Sequence, residues 1–226
     1  MNFLWILPVA THGLEPTNSI PLPAPALTLK TRSCVPILYT VFDFILTSHH
    51  KSVSYGTGNF SGKEYLDTIT LGSLSITQQS IGIASKAEGF RGVDGVLGIG
   101  PVSLTKGTVS NTDTVPTLMD NLFSQGSINS EVLGVYFIPA SVEDATGTLT
   151  FGGYESSLNT SEISYTSITS ASPASSYWGI DQSITYDSTN LLSLASGIVD
   201  TGTVLILIAS GKLISLVPRA NILNSY

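Results

Sequence analysis

The sequence predicts an all-β protein, and three observations carry that expectation. Ser and Thr together number 57 of the 226 residues and Gly numbers 21, while charged residues make up 11% of the chain. A chain so rich in hydroxyl and turn-forming residues, and so poor in Glu, Lys and Arg, is not composed like an ordinary helical protein. Apolar and hydroxyl residues alternate in several runs, which is the period of a strand with one buried face. Apolar residues reach 42%, enough to bury a core.

From Lys51 onward the elements follow in order. Val53 and Tyr55 lead into Gly56-Thr57-Gly58 and then Phe60, two strand-like runs around a glycine-rich tip, which predicts a hairpin. Ile69 and Leu71 alternate with Thr68 and Thr70. Gly72-Ser73 reads as a turn, and Leu74, Ile76, Ile81 and Ile83 resume the alternation. The run predicts a β-meander with one face buried. Val96-Leu97-Gly98-Ile99-Gly100 suits a short buried strand with close backbone approach. One helix stands out: Pro116 at its start, Leu118/Leu122 and Met119/Phe123 paired at i,i+4, and Gly126 after its end. Further strands are expected at 132–137, 149–151, 163–168, 177–186 and 197–209. Before Lys51 the signals are weaker. Pro21, Pro23 and Pro25 make an extended piece, and 41–46 suits a strand or a short buried helix equally.

Charge and residue usage bound the function. The net charge of −7 argues against a phosphate backbone as partner, and no run of about 18 apolar residues suggests a membrane span. Cys34 is the single cysteine, and His12, His49 and His50 are the only histidines. From residue 51 on, neither a Ser-His-Asp triad, a Cys-His pair nor a histidine metal site is possible. Carboxylates, hydroxyls and backbone amides are left as the agents of any chemistry. Residues 52–200 hold 14 of the 16 acids and four bases, a net of −10, whereas the two ends carry five bases and two acids, a net of +3. The ends thus differ in composition from the middle. Phe3 to Ala10 makes an unconvincing signal peptide, because no Lys or Arg precedes it.

Two segments could carry chemistry. In Gly197-Ile198-Val199-Asp200-Thr201-Gly202-Thr203 an Asp follows β-branched apolar residues and precedes a Gly that permits a tight turn. A carboxylate there would have a raised pKa unless donors point at it; backbone N–H groups and the hydroxyls of Thr201 and Thr203 are the candidates. Taken alone, the triplet equally fits an Asp capping an ordinary turn. The hairpin tip Tyr55-Gly56-Thr57-Gly58 could fold over a cleft as a lid, or be a decorated turn. Two glycosylation triplets also occur, at Asn59 and Asn159.

Together these pieces resemble a known family. Tyr55-Gly56-Thr57-Gly58, Val93-Asp94-Gly95-Val96-Leu97-Gly98-Ile99-Gly100, the stretch from Pro116 to Gly126, Leu149-Thr150-Phe151-Gly152-Gly153, Tyr177-Trp178-Gly179-Ile180 and Ile198-Val199-Asp200-Thr201-Gly202-Thr203 are similar, in order and spacing, to the pepsin-type aspartic endopeptidases, especially the polyporopepsin-like enzymes of basidiomycete fungi. The resemblance covers roughly residues 51–210. It implies a bilobal β fold with the substrate cleft between lobes, here incomplete in both. Tyr55, Gly56, Thr57 and Gly58 then match the flap. Asp200 matches the catalytic Asp of the second lobe, supported by the turn Thr201, Gly202 and Thr203. It also implies an extracellular monomer acting on protein or peptide substrates, with no cofactor and no metal.

The chain departs from the family at its ends. The expected organisation is an atypical segment over 1–50, a protease domain over 51–210 with the flap-bearing first lobe and the start of the second, and an atypical tail over 211–226. Asp43 is the only Asp between Glu15 and Tyr55, and Phe44-Ile45 follows it rather than Thr-Gly. The resemblance therefore implies a fragment, truncated at both ends, that lacks the first catalytic Asp and is inactive by itself. The alternative is a non-catalytic peptide-binding homologue. A one-lobe dimeric protease fits less well, because the flap precedes Asp200 and only 23 residues follow Thr203.

Overall fold

In the computed structural model, residues 5–6, 27–31, 45–55, 58–90, 95–137, 147–159, 161–203 and 206–208 are described. The chain divides into two units, Met1–Ile163 and Ser164–Tyr226. Strands dominate both, as the composition predicts.

In the first unit, β1 (Trp5–Ile6) pairs with a later short strand, and β2 (Leu27–Thr31) joins a three-stranded sheet described below. The meander is β3 (Ile45–Ser54), β4 (Asn59–Leu71) and β5 (Leu74–Glu88), all antiparallel with β4 in the middle. Gly72, with φ 55°, makes the tight turn that sets Leu71 opposite Leu74. Between Asp67 and Ile69 a bulge sets a three-residue step along β5 (Gln79 to Ile76) against a two-residue step along β4, and Asp67, Ile69 and Leu71, two apart on β4, are all buried. The buried face of Ile69, Leu71, Leu74, Ile76 and Ile81 packs with Leu118, Met119, Leu122, Ile128 and Phe151.

The helix α1 (Leu118–Ser124) is shorter than its sequence signals suggest. Pro116 precedes it by two residues, and Thr117 is the cap. Asp120 N–H donates to Thr117 Oγ1 at 3.2 Å and Thr117 N–H donates to Asp120 Oδ2 at 2.6 Å, a reciprocal capping box. Gly126, at φ 71°, ends it. Leu118, Met119 and Leu122 face the core, but Phe123 is 46% exposed, so only one of the two expected i,i+4 pairs is buried.

The run 96–100 is not a strand throughout. β6 covers only Gly95–Val96, paired with β1; beyond it the glycines leave the backbone irregular while Leu97 still packs on the core. β7 (Leu133–Tyr136) and β8 (Gly147–Phe151) lie where strands are expected, and β2 completes their sheet in the order β2-β8-β7. No strand is expected at β2 from the sequence, although Leu27 and Leu29 alternate with Thr28 and Lys30.

The second unit contains a hairpin of β9 (Gly179–Tyr186) and β10 (Thr189–Ile198). Asp187 and Ser188, with φ 42° and 58°, form its turn, both central residues being left-handed as two-residue hairpin turns require. Two differences from the sequence expectation appear here. Residues 163–168 form no strand and are exposed. They alternate correctly, but among the described residues no neighbouring strand pairs with them, and a strand exists only by pairing. The strand expected over 197–209 instead ends at Ile198, and β10 extends back to Thr189. The turn chemistry of Asp200 and Gly202 stops it.

Candidate active site

Asp200 stands two residues beyond β10. The pairing of Ile198 with Gly179, and the bond from Val199 N–H to Trp178 O at 2.9 Å, carry the chain to the turn in a fixed register. There Gly202 N–H donates to Asp200 Oδ1 at 2.9 Å, and Thr203 Oγ1 donates to Asp200 Oδ2 at 2.7 Å. A backbone bond from Thr203 N–H to Asp200 O at 3.4 Å closes the turn. Both carboxylate oxygens are thus engaged by donors within three residues, as the sequence anticipated for Gly202 and Thr203. Thr201, expected as a further donor, lies exposed.

The flap candidate is the β3–β4 connection. Ser54 pairs with Asn59, and Tyr55 N–H donates to Gly58 O at 2.7 Å, so Tyr55 and Gly58 hold the two strands together at the base of the connection. Gly56 and Thr57 lie outside the described residues. Gly58 has a steric reason to be glycine: a Cβ there would meet Glu88 O at 2.5 Å and the Phe90 ring at 3.1 Å. The Tyr55 ring meets Phe90 edge-on, centroids 5.4 Å apart, and packs against the cluster of Val53 and Phe60, which Ala84 and Val96 also join. Its hydroxyl is buried with no hydrogen-bond partner among the described residues, and burial pushes its pKa far up. A lid role therefore requires this ring to lift from its cluster.

Two polar networks escaped the sequence reading. The first crosses the meander. Lys51, 1% exposed, lies on β3 opposite Gly62, and its stem passes over Gly82, where a Cβ would stand 2.9 Å from Lys51 Cδ. Lys51 Nζ donates to Ser80 Oγ at 2.9 Å, Ser80 Oγ donates to Glu64 Oε1 at 2.5 Å, and Glu64 Oε2 meets His49 Nδ1 at 3.2 Å and Thr47 Oγ1 at 3.1 Å. Burial lowers the Lys51 pKa from 10.5 to about 8, against the opposing pull of the Glu64 charge. Residues of one strand are far apart in sequence from their partners on the next, so no local motif could signal this.

The second network braces the hairpin that leads to Asp200. Asp181 Oδ1 accepts from Thr169 Oγ1 at 2.7 Å and from Ser196 Oγ at 2.6 Å. These hydroxyls, Ser196 first and Thr169 second, hold the Asp181 carboxyl below its usual pKa. Thr169 N–H also donates to Gly179 O at 3.0 Å, tying the preceding segment to the start of β9. Asn59 and Asn159, the two glycosylation candidates, are both exposed. Among the described residues no group of three His, Cys, Asp or Glu side chains is placed to hold a metal ion.

Comparison with known proteins identifies the family. The family model described as eukaryotic aspartyl protease matches residues 44–222. Polyporopepsin of Irpex lacteus is 59% identical over 168 residues, covering 73% of this chain and 49% of the relative. Pepsin A of Sus scrofa is 31% identical over 72% of this chain and 41% of its own length. The crystal structure of the aspartic proteinase from Irpex lacteus superposes with a TM-score of 0.74 at 56% identity, covering 76% of this chain and 52% of that one. The chain spans about half the length of the curated relatives it matches. With the family model covering well over half of its residues, and a solved relative sharing its β architecture, this chain belongs to the eukaryotic aspartyl protease family.

Proposed function

We propose that this chain is part of an acid endopeptidase, carrying the flap-bearing portion of the first lobe and the start of the second, with Asp200 as one of two carboxylates that share a proton and activate a water against a peptide carbonyl. The observation that carries the reading is the turn 200–203, where both Asp200 oxygens are held by Gly202 N–H and Thr203 Oγ1 at the end of a paired strand. In this chemistry one carboxyl takes a proton from the water while the other gives one to the carbonyl oxygen, and the two titrate as a unit. Asp200 contributes one oriented carboxylate. Tyr55 to Gly58 would close over the bound peptide, and the protein would act outside the cell.

Asp200-Thr201-Gly202 is the one Asp-Thr-Gly triplet in the 226 residues. The second carboxylate is thus not supplied by a matching turn, and the chain by itself is expected not to cleave peptides. Removing one member of a catalytic unit removes nearly all of its effect. The same observation favours one other reading, a homologue that binds peptides without cutting them. Both are tested by incubating the chain with denatured haemoglobin in mild acid, and by measuring binding of a peptide transition-state analogue. No cleavage is expected from the chain alone. When the missing Asp-bearing sequence is joined to it, acid proteolysis should appear and be lost in Asp200→Asn, with analogue binding at least partly kept. Full activity of that variant would overturn the role of Asp200. Analogue binding without any cleavage in the joined protein would favour the binding homologue.

A further inference from the structure

The strand β3 carries more residues than its partner can match. Ile45 pairs with Leu66 and Leu46 with Tyr65, and pairing resumes at His50 with Lys63. Thr47, Ser48 and His49 therefore stand against Glu64 alone, a surplus of two residues. The other side of β4 has no such break here, since Lys63, Glu64 and Tyr65 pair in step with Ile83, Gly82 and Ile81. The surplus belongs to β3.

An offset of one residue turns a strand's side chains to the other face, whereas an offset of two restores the alternation. Hydrophobic patterning therefore cannot decide where the two extra residues sit. Glu64, 4% exposed, decides it. Thr47 Oγ1 stands 3.1 Å from both Glu64 O and Glu64 Oε2. His49 Nδ1 lies 3.2 Å from the same Oε2, and His49 N–H donates to Thr47 Oγ1 at 3.2 Å. Both ends of the surplus are thus gathered on one carboxylate, while Ser48 between them is exposed.

The two flanks of the bulge are held unequally. Toward Tyr55, Ser52 N–H donates to Thr108 O and Ser110 N–H donates to His50 O, both at 2.9 Å, Lys51 reaches Ser80, and Val53 packs with Phe60. Toward the entry of the strand there are two pairs, and Ile45 and Leu46 are 54% and 49% exposed. We propose that Thr47, His49 and Glu64 clamp a two-position joint that fixes where the chain enters the meander. In the second position His49 faces Glu64 and Ser48 faces Tyr65, and the entering chain lies two residues, about 7 Å, further along β4. The pairing of 50–54 is the same in both positions, so the joint moves the entering chain without moving Tyr55. The inference does not depend on the role of Asp200.

Disulfide formation in the full 226-residue chain carrying Cys34→Ser reads the joint. Residues directly opposite across a ladder have Cβ atoms about 4.5–5.5 Å apart, and diagonal neighbours lie farther. Leu46→Cys with Tyr65→Cys reports the clamped position, and Ser48→Cys with Tyr65→Cys reports the shifted one. With Thr47 and His49 in place, the 46–65 bridge should form faster under a mild oxidant. Adding Thr47→Val and His49→Val should invert that order. An unchanged order, in a chain whose β4 and β5 amides stay protected from exchange, overturns the proposal. If that variant does not fold, a chain lacking Ser48 and His49 decides. Without a surplus it needs no clamp, so with Thr47→Val it should fold and form the 46–65 bridge. Failure of the shortened chain as well would mean that Thr47 and His49 support the fold in general, and would equally overturn the proposal.

Discussion

Lys51 holds the least expected charge in the molecule: an ammonium buried in the meander, with Ser80 and then Glu64 as its line of polar support. Its pKa falls from 10.5 in the unfolded chain to about 8 in the folded one. Between those values the unfolded state binds more protons, so stability rises with pH through that window. Below it the buried charge costs a constant amount, on the order of 3 kcal/mol for a shift of this size. Denaturant titrations at about pH 7, 8, 9 and 10 should show the midpoint climbing, and Lys51→Met should abolish the climb. An equal climb in the variant would assign the effect to another group. Tyr55 poses the opposite problem, a buried hydroxyl without a partner among the described residues. Leaving such a group unmet costs about 1–3 kcal/mol. Tyr55→Phe should therefore raise unfolding stability by about 1 kcal/mol, while Tyr55→Ala should lower it by removing the ring from Phe90. A loss of stability in Tyr55→Phe would show that the hydroxyl is bonded.

At the level of elements, the β9–β10 hairpin is braced by hydrogen bonds more than by core. Asp181 binds the hydroxyls of Thr169 and Ser196, and those bonds hold its pKa below the usual 3.8. A depressed carboxyl contributes stability above its unfolded pKa and loses it as pH falls through the lower folded value. The hairpin should thus loosen in strong acid, below 3.8. Hydrogen exchange of 179–198 from about pH 5 to about pH 2, corrected for intrinsic rates, should show falling protection, with a shallower fall in Asp181→Asn. Identical profiles would remove Asp181 from the account. Gly179 matters to the same brace, since a Cβ there would stand 2.9 Å from Thr169 Cγ2 and closer still to Ala174 O. In the first unit, α1 is secured differently: its capping box closes one end while Leu118 and Leu122 bury the face toward β5.

Across the whole molecule, burial is unevenly shared. The meander, α1, Ile128 and Phe151 supply ten mutually packed buried residues, all in the first unit. In the second unit Leu191 and Ala174 are the buried apolar residues among those described, while Tyr165, Leu194, Ile206 and Leu207 are 77–86% exposed. A two-stranded hairpin with so little beneath it is marginal in water. Limited proteolysis should cut within 164–208 before it cuts 59–88, and exchange protection should be high in β4 and β5 but slight in β9 and β10. Equal protection in both units would show that the second is stabilised by contacts beyond those described. Exposed apolar side chains of this kind also predict association at high protein concentration.

Much of this was legible in the residues themselves. Alternation over 68–83, with Gly72-Ser73 between its halves, determined a hairpin whose register the core then fixed, because a one-residue slip would expose Ile69, Leu71, Leu74 and Ile76 together. Asp200-Thr201-Gly202-Thr203 determined its own turn, since all the donors that hold the carboxylate lie within three residues of it. What the sequence could not decide is whatever depends on a distant partner. Residues 163–168 alternate as a strand does and form none among the described residues. Leu27 and Leu29 alternate with Thr28 and Lys30 over too few residues to stand out alone, yet Leu27–Thr31 forms a strand because β8 is there to pair with it. The Lys51, Ser80 and Glu64 chain joins three strands across 29 residues of sequence. Local chemistry is written in neighbouring residues, whereas pairing and burial belong to contacts that only the folded chain creates.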